Sequence, residues 1–293
     1  MRMTQRGRLW LIVLALPLMA HKCPTAPKAE DACVAGFNGE PPVIIVAGTL
    51  SPQIANELFL GNALQYEGYT HCVFELNGSD QLQYLPGTAP IGQSARALKI
   101  FVDRVLEWSG HTTVDLIGHS QGVLAARDYI KFRGGQSKVD TLISLAGPNS
   151  GTDAAGAAQL FVDPVLAPFG VTCAEIFPCE QMQQGSSYIE ALNDGDDTPG
   201  AIEYYSFYTN NDAFVWHFAQ GPLGIPYVSY TNARLEDGAT NVEIDEECPL
   251  RWVSHLGMIL DPVVYEMISD ALAGDLIDVP ASTCLLPPVL LPI

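Results

Sequence analysis

Residues 114–132 constrain the chain more than any other stretch. A strand-like run, residues 114–117, is followed at once by a helical pattern over 121–132, and between them stand Gly118-His119-Ser120-Gln121-Gly122. A strand that becomes a helix within so few residues must turn sharply. The turn lifts the Ser120 side chain clear of the sheet and leaves no room for side chains two positions to either side, the need that Gly118 and Gly122 meet. The helix opening at Gln121 aims backbone N–H groups at any negative charge formed beside Ser120. The pattern predicts an exposed nucleophilic hydroxyl; the competing reading is an ordinary structural turn.

The rest of the chain fits that setting. Residues 43–46 (Val-Ile-Ile-Val), 70–76, 139–146 and 204–208 read as further strands, and residues 54–66, 94–108 and 262–272 as helices. Strands separated by helices of this length imply crossovers, and hence an α/β architecture with a mostly parallel sheet covered on both faces. With 293 residues, 48% of them hydrophobic, one large domain over residues 21–293 is expected. The regular pattern breaks over residues 148–200, which read as a lid-like insertion carrying a dense apolar set that includes Leu160, Phe161, Val165 and Phe169.

Charge and cysteines narrow the function classes. A formal charge of -19 repels phosphate backbones, so no nucleic-acid partner is expected. A basic start (Arg2, Arg6, Arg8), an apolar run over residues 9–16 and a small residue at Ala20 read as a signal peptide over residues 1–20, with an uncleaved anchor as the alternative. The seven cysteines contain no C-x-x-C pair, so disulfides in an oxidising compartment are expected rather than a metal site. Their odd number leaves one over, and Cys23 is the expected leftover. The chain is therefore expected to be secreted, with no metal or cofactor, and monomeric.

A serine nucleophile needs a base, and the base a partner that fixes its tautomer. With the order Ser, acid, His along the chain, only His217 and His255 qualify as bases. His255 stands in a loop before the closing helix, where it can reach over the carboxyl edge of the sheet. His217 lies among aromatics and reads as packed or substrate-lining. For the acid, Asp212 follows the 204–208 strand directly, with Asp237 and Asp245 as alternatives; Asp194, Asp196 and Asp197 read as a solvated turn. An oxyanion would find the N–H of Gln121 and a second donor from Thr49, in the loop after the 43–46 strand.

Val46-Ala47-Gly48-Thr49, Gly68-Tyr69-Thr70-His71-Cys72, Gly118 to Gly122, Tyr208-Thr209-Asn210-Asn211-Asp212 and Ser254-His255-Leu256-Gly257-Met258 together resemble the secreted lipases. The likeness is to bacterial class-2 triacylglycerol lipases and the fungal lipase-B type, over roughly residues 42–272. It implies an α/β-hydrolase fold, a triad of Ser120, Asp212 and His255, an oxyanion hole at Thr49 and Gln121, a small lid in the 148–200 insertion, and long-chain acylglycerols or similar esters as substrates. It also implies disulfides Cys33–Cys72, Cys248–Cys284 and, within the insertion, Cys173–Cys179. The chain departs from the family pattern at Leu50 and Val123, where such lipases carry glycine; neither is a triad position. A short-chain esterase, polyester depolymerase or acyltransferase would share the same catalytic residues, and a non-catalytic binding protein is the reading from another class.

Overall fold

The computed structural model describes residues 29–80, 82–154, 178–236 and 238–286. Its strands are β1 (Cys33–Val34), β2 (Val43–Val46), β3 (His71–Phe74), β4 (Val114–His119), β5 (Val139–Leu145), β6 (Glu203–Tyr208), β7 (His217–Gln220), β8 (Pro226–Ser229) and β9 (Ala239–Glu243). Seven of them form one sheet in the order β1-β3-β2-β4-β5-β6-β9, while β7 and β8 pair apart as an antiparallel hairpin. Within the large sheet only β1 is antiparallel to its neighbour. Parallel neighbours need crossovers, and the crossovers place helices on both faces.

β2 and β4 are buried along their whole length, and alternate side chains of the central strands serve two cores. Ile44, Val46, Leu116 and Leu142 point to one face, where Leu98, Phe101, Val102 and Val105 of the helix Ile91–Ser109 and Leu124 and Tyr129 of the helix Gln121–Phe132 cover them. Val43, Ile45, Ile117 and Ile143 point to the other, under Leu60, Leu64 and the helix Pro262–Ala273. Asp261 caps that last helix by accepting the Val263 N–H, and Pro262 occupies its first turn, where a missing N–H costs nothing. The helical stretch expected over 54–66 forms, with a π turn at Glu57–Gly61 between two α segments.

The insertion expected over 148–200 divides. Its apolar stretch, residues 155–177, lies outside the described residues, as do Cys173, Gln81, Asp237, the 1–20 leader, Cys23 and the end of the chain from residue 287. The helix Ser187–Asn193, by contrast, buries Ile189 and Leu192 in the main core, and Tyr188 donates to Asp128 Oδ2 at 3.0 Å. The inner face of that helix is core. Nor is the 194–197 turn wholly solvated: Asp197 is buried 3.9 Å from the buried Arg127 guanidinium, and its Oδ2 accepts the Glu236 N–H. Lys131 Nζ donates to the carbonyls of Leu192, Asp194 and Asp196, capping the helix end that carries negative partial charge.

Two disulfides tie the sheet's margins. Cys33 pairs with Cys72 across the β1–β3 ladder, and Cys248 with Cys284, holding the end of the described chain beside the loop that leads to His255. Arg251 reinforces that anchor, bonding Asp261 through Nε at 2.9 Å and the Cys284 carbonyl at 3.2 Å. No described helix is long and apolar enough to cross a membrane.

Candidate active site

Strand β4 delivers Ser120 to the carboxyl edge of the sheet, where open parallel sheets commonly place their sites. Ser120 takes φ 55° and ψ −127°, a conformation that L-residues avoid. Its neighbours hold it there: the Ser120 N–H donates to the Leu145 carbonyl at 3.0 Å, and the Val123 N–H to the Ser120 carbonyl at 3.1 Å. The flanking glycines are required by close approach. A Cβ at Gly122 would lie 2.2 Å from the Val46 carbonyl oxygen, and one at Gly118 2.8 Å from Val123 Cα. The elbow helix is thus pressed against β2, and β2 in turn carries the next functional loop.

That loop packs directly on the elbow. A Cβ at Gly48 would sit 3.2 Å from Ser120 Cβ, and Thr49 Oγ1 donates to Gln121 Oε1 at 2.5 Å. The side chains of Thr49 and Gln121 therefore lock together the two segments whose backbone N–H groups are the oxyanion candidates. Leu50, which follows, has φ 55°, and its N–H is held by the Pro86 carbonyl at 2.8 Å. Its left-handed backbone gives the physical reason that glycine suits this position in similar lipases.

The structure brings Asp212 and His255 together. His255 Nδ1–H donates to Asp212 Oδ2 at 2.7 Å, which leaves Nε2 as the basic nitrogen. The other carboxylate oxygen, Oδ1, accepts the N–H groups of Phe214 at 2.7 Å and Val215 at 2.8 Å. Both triad candidates are buried, and the Phe214 ring lies 5.1 Å from that of His255. His217 falls elsewhere, half-buried in β7 opposite Ser229 and apart from the described residues that line the cleft beside Ser120.

Asp245, weighed as an alternative acid, instead braces the acid loop. Its Oδ2 accepts the Asn210 N–H at 2.8 Å and lies 3.0 Å from Thr209 Oγ1, and its Oδ1 accepts from Asn211 Nδ2 at 2.7 Å. Thr209 Oγ1 also reaches the Val253 carbonyl at 2.9 Å, coupling the acid loop to the histidine loop.

The role of His119 was not legible in the sequence. Its imidazole sits in the elbow, fully enclosed, and donates from Nε2 to the main-chain carbonyl of His255 at 3.0 Å, with ring centroids 4.8 Å apart. A carbonyl only accepts, so His119 carries its proton on Nε2, and its buried Nδ1 has no partner. Burial, then the neighbouring His255, pushes the His119 pKa down to about 3, so the ring stays neutral. A second cation beside His255 is thereby avoided. No short-range pattern could have found this role, because the partner is 136 residues away.

Around these groups lies a largely apolar cleft of about 290 Å³, lined by Ser120, His255, Thr49, Leu50, Met182 and Phe214 among others. Among the described residues no group of three His, Cys, Asp or Glu side chains is placed to hold a metal ion. The arrangement offers a strained hydroxyl, an imidazole held by a buried carboxylate, and amide-rich backbone at a helix start. Together these are the parts of a nucleophilic acyl-transfer site.

No curated protein sequence matches the chain. Among solved structures it is similar to Aspergillus fumigatus lipase B, with a TM-score of 0.63 at 16% identity, over 96% of this chain and 65% of that one. The chain thus spans just under two thirds of that relative's length. It is also similar to the mature form of the Bacillus licheniformis lipase BlEst2, with a TM-score of 0.53 at 16% identity over 76% of this chain and 88% of that one. These likenesses establish the α/β-hydrolase fold. Residues 40–237 match the family model described as Lipase (class 2), a span that holds Ser120 and Asp212 and ends before His255. With about two thirds of its length matched, the chain belongs to the class 2 lipase family.

Proposed function

We propose that this chain is a secreted carboxylic ester hydrolase, a triacylglycerol lipase working through an acyl-enzyme on Ser120. The observation that carries the reading is the 2.7 Å bond from His255 to the buried Asp212, beside Ser120 in one apolar cleft. Ser120 Oγ attacks the ester carbonyl carbon as its proton passes to His255 Nε2. The negative charge that collects on the carbonyl oxygen is met by the N–H groups of Gln121 and Thr49. Asp212 holds the imidazole in its tautomer and stabilises the imidazolium without itself taking the proton. The C–O bond then breaks, and the departing alcohol takes the proton from His255. Water repeats the sequence on the acyl-enzyme, releasing the acid and restoring Ser120.

Lipase action is favoured by the family and by the apolar cleft, which suits an acyl chain better than a charged substrate. Export is favoured by the 1–20 leader pattern and by two disulfides, which persist in oxidising compartments. On this reading the mature protein is one domain over residues 21–293. Initial rates on p-nitrophenyl butyrate, p-nitrophenyl palmitate and emulsified triolein test the reading. Turnover of the long-chain esters is expected. Turnover of butyrate alone would reassign the chain as a short-chain esterase, and no ester turnover would remove the reading altogether. Sequencing the N-terminus of exported protein is expected to begin at His21.

A further inference from the structure

The β7–β8 hairpin is exposed where a folded chain gains nothing by being apolar. Phe218 pairs with Val228 on its open face, and Leu223, Ile225 and Tyr227 follow around the tip; Phe218 is 60%, Ile225 64% and Leu223 97% exposed. Leu223 at the apex also has φ 64°, a left-handed backbone that leucine adopts only with strain and that glycine would adopt freely. Folding alone would favour the opposite choice at this position on both counts. Residues 213–233, between Asp212 and Arg234, form the longest stretch of the chain without an Asp, Glu, Lys or Arg. At β2 a charge-free run is buried strand, whereas most side chains of β7 and β8 lie on the surface.

The hairpin is also fastened to the ester cleft. Thr152, which lines the cleft, donates from Oγ1 to the Phe214 carbonyl at 2.7 Å, and Asp153 Oδ2 accepts the Phe218 N–H at 2.8 Å. Phe214, at the hairpin's base, is itself a cleft wall. The apolar surface therefore runs from the tip to the site without a charged residue of its own segment.

We infer that the β7–β8 hairpin is an anchor that seats the cleft on the surface of an uncharged lipid phase. The inference rests on the lipase reading above for its purpose, and on the hairpin alone for its physics. An apolar tip enters the boundary of an uncharged lipid, and its aromatic neighbours suit the boundary layer. The chain's charge of -19 opposes approach to an anionic surface, so neutral lipid is the occupant that both the hairpin and the charge allow.

Adsorption of the full chain carrying Ser120→Ala tests this without consuming the lipid. Binding is measured to phosphatidylcholine-coated triolein droplets and to droplets coated with equal phosphatidylcholine and phosphatidylglycerol. The parent is expected to prefer the neutral droplets, and Leu223→Asp to weaken adsorption about ten-fold or more. Leu223→Gly is expected to weaken it several-fold with no loss of thermal stability, which separates anchoring from folding. With Ser120 intact, both variants are expected to hydrolyse dissolved p-nitrophenyl butyrate within two-fold of the parent. Unchanged adsorption in both variants, or a preference of the parent for the anionic droplets, would overturn the anchor. So would a dimer in sedimentation that Leu223→Asp converts to monomer while adsorption is unchanged, since the hairpin would then serve a second copy. A parent that adsorbs as expected but turns over no ester would keep the anchor and remove the lipase reading.

Discussion

Ser120 and Leu223 have nearly the same backbone φ, 55° and 64°, and opposite surroundings. Around Ser120 the backbone is over-determined: the elbow is pressed on β2 at Gly122, its amide is held by Leu145, and the neighbouring loop is locked by the Thr49–Gln121 bond. At Leu223 the turn has only its own hairpin, through the bonds between Gly221 and Ile225 and from Gly224 to Gly221. Strain of this kind costs roughly 1–3 kcal/mol and persists where the surroundings enforce it or a function needs it. The elbow has both. Among the described residues nothing outside the hairpin enforces the tip, which leaves a role beyond the molecule as the reason for its leucine.

The largest expected effect lies at the braced end. Ser120→Ala and His255→Ala are each expected to lower kcat/KM on p-nitrophenyl esters by at least about a thousand-fold, since members of a triad act as a unit. Asp212→Asn is expected to leave more residual activity than either. Steady-state rates with unchanged circular dichroism check this; His217→Ala with a loss as deep would move the base to β7. Gly122→Ala strikes the brace itself. Its Cβ meets the Val46 carbonyl oxygen at 2.2 Å, so a loss of about 2–4 kcal/mol in chemical denaturation is expected, the range typical of overpacked cores and broken backbone packing. A neutral Gly122→Ala would mean the elbow is not held by β2.

The two ends of β4 make a second contrast. His119 at the site end is enclosed and neutral, whereas Asp115 near the other end is a buried carboxyl whose pKa burial pushes up to about 6. The raised value means the folded state binds the proton more tightly than the unfolded one. The contribution of Asp115 to stability is therefore fullest below about pH 4 and is lost as pH rises through about 6. Asp115→Asn is expected to raise stability at pH 8 by up to about 3 kcal/mol, with the gain vanishing below about pH 4. Denaturant midpoints at the two pH values check it, and a gain that grows on acidification would contradict it. Smallest is His119→Phe, which leaves the His255 carbonyl without its donor, a cost of about 1–2 kcal/mol. A roughly ten-fold fall in kcat with KM unchanged, partly restored in His119→Gln, would mark His119 as a positioning residue.

What the sequence disclosed follows the range of the signal. The helix Gln121–Phe132 and the helix Pro262–Ala273 carry their period and breakers locally, and β2 is an uninterrupted apolar run. Ser120, Asp212 and His255 could be nominated because chain order and the ends of those elements suffice. β9 could not: Ala-Thr-Asn-Val-Glu is polar and half-exposed, and becomes a strand only by pairing with β6. The β7–β8 hairpin lacked alternation because most of its side chains are exposed. His119 and Asp245 act on residues far along the chain, so their roles exist only after folding. Leu50 is the intermediate case. Its departure from glycine was visible in the sequence; the positive φ that makes the departure costly was not.

The central claim is that Ser120, activated through His255 and Asp212, is the group that takes the acyl chain. Labelling the pure protein with a fluorophosphonate and mapping the adduct by mass spectrometry tests it most directly. A single adduct on the Ser120 peptide is expected, absent in Ser120→Ala and formed far more slowly in His255→Ala. An adduct on another residue, or ester hydrolysis that survives in Ser120→Ala, would contradict the account.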